Sequence, residues 1–249
     1  VTPELNIDTS SKIIHVSLNN QKRLAGSIFS EVTQSEFLNT PDVDDMDRFK
    51  KMFNAVQGLI SEHKVLALHD VSDGGLIISL LEMAFTKKVG LDIMIDDLDP
   101  KNLNNYFFAE EVGLVLQVDE AHLDEVTSAL TSVNSVVNAI GTISSSKDIV
   151  ISNAEENLYR ESITVLEKSW RETSHAIQAM RDNQSIADSE LSLLDDNNYS
   201  GLYADESFNE GPAKIFSITK TKPKVAVLRE QGVNGCLLYT SPSPRDVEE

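Results

Sequence analysis

The residues best suited to binding a phosphate and its metal ion lie together in one short stretch, residues 69–75, with the sequence HDVSDGG. Asp70 supplies a carboxylate, and Mg²⁺ prefers a few carboxylates together with phosphate oxygens. Ser72 supplies a hydroxyl that can donate to a phosphate or accept from the turn. Gly74 and Gly75 have no Cβ, so a ligand oxygen can approach the main chain closely. These residue types suit a phosphate and metal site, with Asp70 as the candidate metal ligand.

The flanking residues predict a strand before this stretch and a helix after it. Residues 65–68 form a short apolar run that is typical of a buried strand. From Leu76 onward, apolar residues recur at helical intervals. The first amides of a helix have no internal partners and lie at the positive end of its dipole, which suits an anion. If the strand conformation continues into the turn, Asp70 and Ser72 project to one side and Val71 to the other.

A purely structural turn would have the same composition. Asp and Ser before a helix are common N-caps, worth about 1 kcal/mol, and Gly-Gly is a common turn element. His69, a single histidine that closes an apolar strand, is interpreted as a structural residue rather than as a ligand or a base. On residue types alone, a ligand site and a capped helix both remain open.

Composition and charge limit the class of protein. The chain has 249 residues, enough for one or two domains with a sizeable core, and 40 acidic against 21 basic residues give a formal charge of −19. Such a surface repels nucleic acids and anionic membranes. The single cysteine, Cys236, excludes an internal disulfide framework and a cysteine-based zinc site. Neither a signal peptide nor an apolar run of about 20 residues is visible, so we expect a cytoplasmic protein without nucleic-acid or membrane partners. Because it begins with Val1, we interpret the chain as starting within a longer protein.

The spacing of apolar residues predicts an α+β fold, with helices layered on a mixed sheet, over residues 1–160. Strands are expected to begin near residues 12, 91, 113, 137 and 148, and helices near residues 43, 74 and 120. Ser27 is expected to cap a helix. Glu110 and Glu111 could form an acid/base pair. Adjacent side chains diverge on a helix or a strand, however, so we favour for both a structural role or one that supports residues contacting the ligand.

The remainder of the chain divides into three parts. Residues 161–221 contain a long amphipathic helix over 162–182 and then an acidic stretch, 188–210, without Lys or Arg, which predicts an irregular linker. Residues 222–235 contain an apolar strand at 225–228 that would open an α/β domain. Residues 236–249 include Pro242 and Pro244, which would prevent a helix, and we interpret them as a non-native tail.

Several of these stretches resemble one enzyme family. HDVSDGGL at 69–76 and LLEMAF at 80–85 are similar to the second synthase half of the long, single-chain phosphoribosylformylglycinamidine synthases. These are glutamine-dependent enzymes of the aminoimidazole ribonucleotide synthase superfamily. Further resemblance lies in RLAGSIFSEV at 23–32, YFFAEEVGLVLQV at 106–118 and WRETSHAIQAMRDNQSIADSE at 170–190. KPKVAVLREQGVNG at 222–235 resembles the first strand and loop of their class I glutaminase domain.

The resemblance implies a fold, a reaction and a set of ligands. The fold is that of the C-terminal subdomain of aminoimidazole ribonucleotide synthase. The parent enzyme would use ATP and glutamine to convert formylglycinamide ribonucleotide to formylglycinamidine ribonucleotide in purine biosynthesis, with ATP/ADP and Mg²⁺ as cofactors, as a monomer. Asp70 would be a magnesium ligand and Ser72 a nucleotide contact, while the other magnesium ligands would precede Val1. No residue is assigned a catalytic role, Cys236 included, and we expect the chain alone to be inactive.

Two alternatives remain. The chain could belong to a smaller ATP-dependent member of the superfamily, although residues 169–235 argue against it. It could also form a structural half-domain that holds its nucleotide permanently without turnover.

Overall fold

The computed structural model describes residues 1–95, 100–154, 156–196, 199 and 201. Its centre is a seven-stranded mixed sheet with the strand order β2-β4-β1-β5-β3-β6-β7. The strands are β1 Ser11–Ser17, β2 Ala67–Asp70, β3 Gly90–Met94, β4 Gly113–Asp119, β5 Val136–Ser144, β6 Asp148–Ser152 and β7 Asn157–Ser162. Strands β3 and β6 pair in parallel, and the other neighbouring pairs are antiparallel. The predicted α+β class with a mixed sheet is confirmed.

Helices pack on both faces of the sheet. They are α1 Ile28–Thr33, α2 Met46–Ser61, α3 Gly75–Phe85, α4 Leu103–Phe108, α5 Leu123–Ser132, α6 Ile163–Arg181 and α7 Gln184–Ser192, with short 3-10 turns at Pro100–Asn102, Glu120–His122 and Leu193–Asp195. Helices α2 and α5 share one apolar core with Ile14 and Val16, whereas α3, α4 and α6 share the other with Ile13. Consecutive side chains of β1 thus pack into the cores on opposite faces of the sheet, as the two-residue period of a strand requires.

Strand β2 lies further along the chain than predicted. It spans Ala67–Asp70 rather than residues 65–68, and it is the first strand in the sheet order, with β4 as its neighbour. The apolar run marks the residues that pack inward, but the hydrogen bonds to β4 continue through Asp70. The chain therefore enters the HDVSDGG turn from an edge strand.

The segment after residue 188 also differs from its prediction. Helix α7 continues to Ser192, and a 3-10 turn follows at Leu193–Asp195. Two of the acidic side chains that suggested a self-repelling linker have partners on α6: Asp188 contacts His175 at 2.9 Å and Asp195 contacts Lys168 at 2.5 Å. Helix α6 itself confirms the amphipathic helix predicted over 162–182.

Some predictions fall beyond the described part of the chain. The glutaminase-like strand at 225–228 and the tail at 236–249 lie outside the described residues, and the boundary near residue 160 stays a prediction. Within the described ranges, a search for helices both long and apolar enough to cross a bilayer finds none.

Candidate functional site

The main chain is held firmly where β2 ends. The amide of Val71 donates to the carbonyl of Gly113 at 2.9 Å, which extends the pairing with β4 one residue beyond the strand. The carbonyl of Asp70 accepts from Ser79 Oγ on α3 at 2.8 Å and lies 2.6 Å from His69 Nδ1. Because a carbonyl oxygen can only accept, Nδ1 is the donor. The position of Asp70 is therefore fixed from both the strand side and the helix side.

The side chains of Asp70 and Ser72 face away from the core. The Asp70 carboxylate is 70% exposed, with His69 Nδ1 3.5 Å away. Ser72 is also exposed, whereas Val71 between them packs against the core of α3 and α4. This alternation is the one predicted for an extended chain.

The helix-capping alternative is wrong for this turn. Helix α3 begins after Gly74, a residue without a side chain, so neither Asp70 nor Ser72 is its N-cap. Ser72 contributes its carbonyl, which accepts from the Gly75 amide at 2.9 Å, rather than its hydroxyl. Asp70 and Ser72 are thus polar side chains that the start of α3 does not use.

The backbone conformation and packing of the turn explain why Gly74 and Gly75 are glycines. Both have positive φ, 85° at Gly74 and 75° at Gly75, a conformation that costs most other residues about 1–2 kcal/mol. A Cβ on Gly75 would lie 2.7 Å from the carbonyl oxygen of Phe107, and one on Gly74 would lie 2.4 Å from a side-chain carbon of Ile78. The turn and the packing of α4 therefore require glycine here, and a role in ligand approach stays a prediction.

A carboxylate occupies the start of α3, contrary to the expectation of unpartnered amides. Glu110 Oε1 accepts from the Gly74 amide at 2.8 Å and from the Ile28 amide at 2.9 Å. The negative charge is favourable there because it faces the positive ends of two helices, α1 and α3. Glu110 therefore joins the turn to α1. Its partners are distant in the sequence, so local capping patterns gave no signal for this contact.

Glu111 points elsewhere, as predicted for adjacent side chains. Its carboxylate accepts from Arg23 Nε and Nη2, both at 2.7 Å, and from the Arg23 amide at 3.0 Å. The two side chains are only 9% and 12% exposed. Hydrogen bonds from the guanidinium to Glu111, and then to Asp44, raise the pKa of Arg23. The pair pins the loop after β1 to the start of β4.

Behind the turn, Val71 borders a small polar cavity of about 20 Å³ whose wall includes His15 and Tyr106. That volume has room for about one water molecule. His15 Nδ1 is buried without a hydrogen-bond partner among the described residues. Burial, with a smaller effect of Lys22, lowers the pKa of His15 to about 4, and burial raises the pKa of Tyr106 to about 12. The sequence analysis did not identify His15, because a single histidine within a strand carries no motif.

A metal ion at the turn would not be held by protein ligands alone. The described residues contain no group of three or more His, Cys, Asp or Glu side chains placed to hold a metal. Mg²⁺ commonly binds one or two carboxylates and takes its other ligands from phosphate and water. The exposed carboxylate of Asp70 fits that mode.

The fold and this turn define the class of domain. It is a layered α+β domain whose edge strand passes through an acidic, hydroxyl-bearing and glycine-rich turn into a helix. A family model described as "AIR synthase related protein, C-terminal domain" matches residues 11–152. The chain belongs to this family.

Solved structures with the same fold come from Thermotoga maritima. PurL complexed with ATP superposes with a TM-score of 0.54 at 10% identity, over 67% of this chain and 27% of that one. PurL complexed with FGAR gives 0.51 at 12% identity, over 67% and 29%. Phosphoribosylformylglycinamidine synthase II gives 0.51 at 9% identity, over 66% and 27%. The chain thus spans less than a third of the length of these proteins, and at such identities the likeness concerns the fold.

Proposed function

We propose that this chain is part of a phosphoribosylformylglycinamidine synthase and that its HDVSDGG turn binds a magnesium nucleotide. Family membership and the fold shared with T. maritima PurL, solved in complexes with ATP and FGAR, support the proposal. The observation that carries it is the exposure of the Asp70 carboxylate and the Ser72 hydroxyl at the end of β2, where the start of α3 uses neither.

Each residue of the turn has a distinct part in this proposal. Asp70 binds Mg²⁺, whose charge offsets that of the nucleotide phosphates. Ser72 donates to a phosphate oxygen. His69 and Ser79 hold the Asp70 main chain in place, and Glu110 fixes the shape of the turn through the Gly74 amide.

The reaction of the complete protein is the ATP- and glutamine-dependent amidation of formylglycinamide ribonucleotide to formylglycinamidine ribonucleotide. The glutamine-hydrolysing part of this proposal rests on the sequence of residues 222–235, and the proposal assigns no catalytic residue to the present chain. We expect it to bind Mg·ADP weakly and to show no amidation activity alone.

Substitutions in the turn test the nucleotide site. Asp70→Asn removes the proposed metal ligand and should weaken Mg·ADP binding, measured by thermal-shift titration, far more than Asp73→Asn. Asp73 is an exposed neighbour in the same turn, so both variants change the charge equally. Ser72→Ala should cost about 1.5–3 kcal/mol of binding free energy, the value of a hydrogen bond to a charged group. Equal affinities in all four proteins would reject direct contact.

A second function, a nucleotide held without turnover, is favoured by the surroundings of His69. Its Nδ1 donates to the Asp70 carbonyl and its Nε2 lies 3.1 Å from Glu82 Oε2. Both ring nitrogens thus contact the protein, which supports a structural role for His69. Retention of radiolabelled nucleotide through many turnovers of the complete enzyme would establish this function, whereas rapid exchange would exclude it.

A further inference from the structure

Helix α3 contacts the end of β2 at two points, through Ser79 and through Glu82. These residues are three apart, so they are neighbours on the helix surface. Ser79 Oγ donates directly to the Asp70 carbonyl at 2.8 Å. Glu82 Oε2 lies 3.1 Å from His69 Nε2, and the Nδ1 of the same ring lies 2.6 Å from the Asp70 carbonyl. Glu82 is therefore linked to Asp70 through the His69 ring.

The His69 ring also lies beside the Asp70 side chain. Its Nδ1 is 3.5 Å from Asp70 Oδ1, which belongs to the proposed metal-binding carboxylate. No other polar side chain in the described part of the chain contacts this carboxylate, which is 70% exposed. A protonated imidazole donates from both nitrogens, so His69 can bridge Asp70 and Glu82. The ring therefore limits the rotation of an otherwise exposed side chain.

Glu82 has no cationic partner that would explain its place in the fold. It is the one charged residue in α3, whose sequence is GLIISLLEMAF. Its side chain is partly buried, and a carboxylate that loses water needs a polar partner. Among the described residues, His69 is that partner, and no Lys or Arg forms an ion pair with Glu82. The contact with His69 thus accounts for a carboxylate at this position of an apolar helix.

We propose that Glu82 is a positioning residue for the magnesium nucleotide site. It orients the His69 ring, and the ring holds the Asp70 carboxylate in the rotamer that binds the metal ion. This inference rests on the proposed function, in which Asp70 is the metal ligand. Residues that orient a metal ligand without touching the metal affect its affinity, and their replacement typically costs about 10–100-fold.

The orientation of Asp70 can be measured without metal or nucleotide. Three-bond NMR couplings about its Cα–Cβ bond report which χ1 rotamers are populated. We expect one dominant rotamer in the unsubstituted chain and averaging between rotamers in Glu82→Ala. Glu172→Ala removes a carboxylate from an exposed position on α6 and should leave the couplings unchanged. Averaged couplings in the unsubstituted chain, or the same couplings in Glu82→Ala, would overturn the proposal.

Titration of the whole chain with Mg·ADP, followed by NMR, tests the consequence for binding. Glu82→Ala should raise the half-saturating concentration by about tenfold or more, with the same chemical shifts at saturation. A purely structural loss would instead lower the amount of folded protein without moving the half-saturating concentration. Glu172→Ala should bind like the unsubstituted chain. Glu82→Met keeps the bulk of the side chain and serves if Glu82→Ala does not fold.

Asp70→Asn, titrated in parallel, separates this inference from the proposed function. If Asp70→Asn binds Mg·ADP like the unsubstituted chain, the proposed metal site is wrong and the role of Glu82 is wrong with it. If Asp70→Asn weakens binding and the Glu82 variant has an unchanged half-saturating concentration, the inference about Glu82 alone is overturned.

Discussion

Two carboxylates that contact the same guanidinium illustrate how burial decides the importance of a single residue. Glu111 is buried against Arg23, whereas Asp44, which contacts the same guanidinium at 3.0 Å, is 41% exposed. Glu111→Gln leaves the buried guanidinium without its main counter-charge and should lower the free energy of unfolding by about 3–5 kcal/mol. Asp44→Asn should lower the free energy of unfolding by only about 0–1 kcal/mol, as expected for an exposed ion pair. Urea denaturation of both variants measures the difference, and similar losses would show that burial of the pair has little effect.

The pH dependence of stability should reflect His15. Its pKa in the folded protein is about 4, below the ordinary value of 6.5, so the unfolded chain takes up the proton first. As the pH falls from about 6.5 to about 4, His15 should remove up to about 3 kcal/mol of stability, with no further loss below about 4.

Thermal unfolding measured across this pH range tests the contribution of His15. His15→Phe should reduce the loss of stability at low pH, because the replacement ring cannot be protonated. His122→Phe alters an exposed histidine and should keep the decline of the unsubstituted protein. Parallel curves for the protein and both variants would contradict a neutral, buried His15.

At the site, residue types were more predictable than contacts. The carboxylate and hydroxyl of Asp70 and Ser72, and their shared side of the chain, follow from the motif and the two-residue period of a strand. The contact between Glu110 and Gly74 could not be predicted from the motif, because it joins positions 36 residues apart. It depends on how α4 and β4 return the chain to the start of α3, which is a property of the tertiary fold.

At the scale of elements, the start of α3 depends on Gly75. An alanine there would combine a positive φ with a Cβ 2.7 Å from the backbone of α4, so Gly75→Ala should destabilise the protein by about 2 kcal/mol or more. Gly58 lies inside α2 with open space at its Cβ position, and Gly58→Ala should stabilise by about 0.5–1 kcal/mol. Chemical denaturation provides both values, and a neutral Gly75→Ala would contradict the close packing of α4.

Long periodic segments were found where the sequence predicted them, whereas α4 and β7 were missed. Helices α2, α5 and α6 have clear apolar faces, and Asp45 caps α2. Ser27 caps α1, as predicted, by accepting from the Ser30 amide at 3.2 Å. Helix α4 has six residues and was not predicted, nor was β7, whose sequence NLYRES is largely polar. Strand β7 is stabilised by its pairing with β6, and no local sequence pattern predicts that pairing.

At the scale of the whole molecule, sheet order explains why the turn is accessible. Strand β2 is the first strand in the order and pairs with β4 alone among the described strands. In the turn that follows, Val71 packs against the core of α3 and α4, whereas Asp70 and Ser72 are exposed. The sheet order itself could not be read from the sequence, because β4 pairs with residues 44 or more positions before it.

The most direct test of the proposed function is a ¹H–¹⁵N titration of this chain with ADP, in Mg²⁺ and then in EDTA. The method detects weak binding and reports its place in the chain. We predict magnesium-dependent shifts centred on residues 70–76 that disappear in Asp70→Asn and persist in Asp73→Asn. Chemical-shift changes that do not depend on Mg²⁺, that persist in Asp70→Asn, or that lie away from this turn would contradict a magnesium nucleotide site at Asp70 and Ser72.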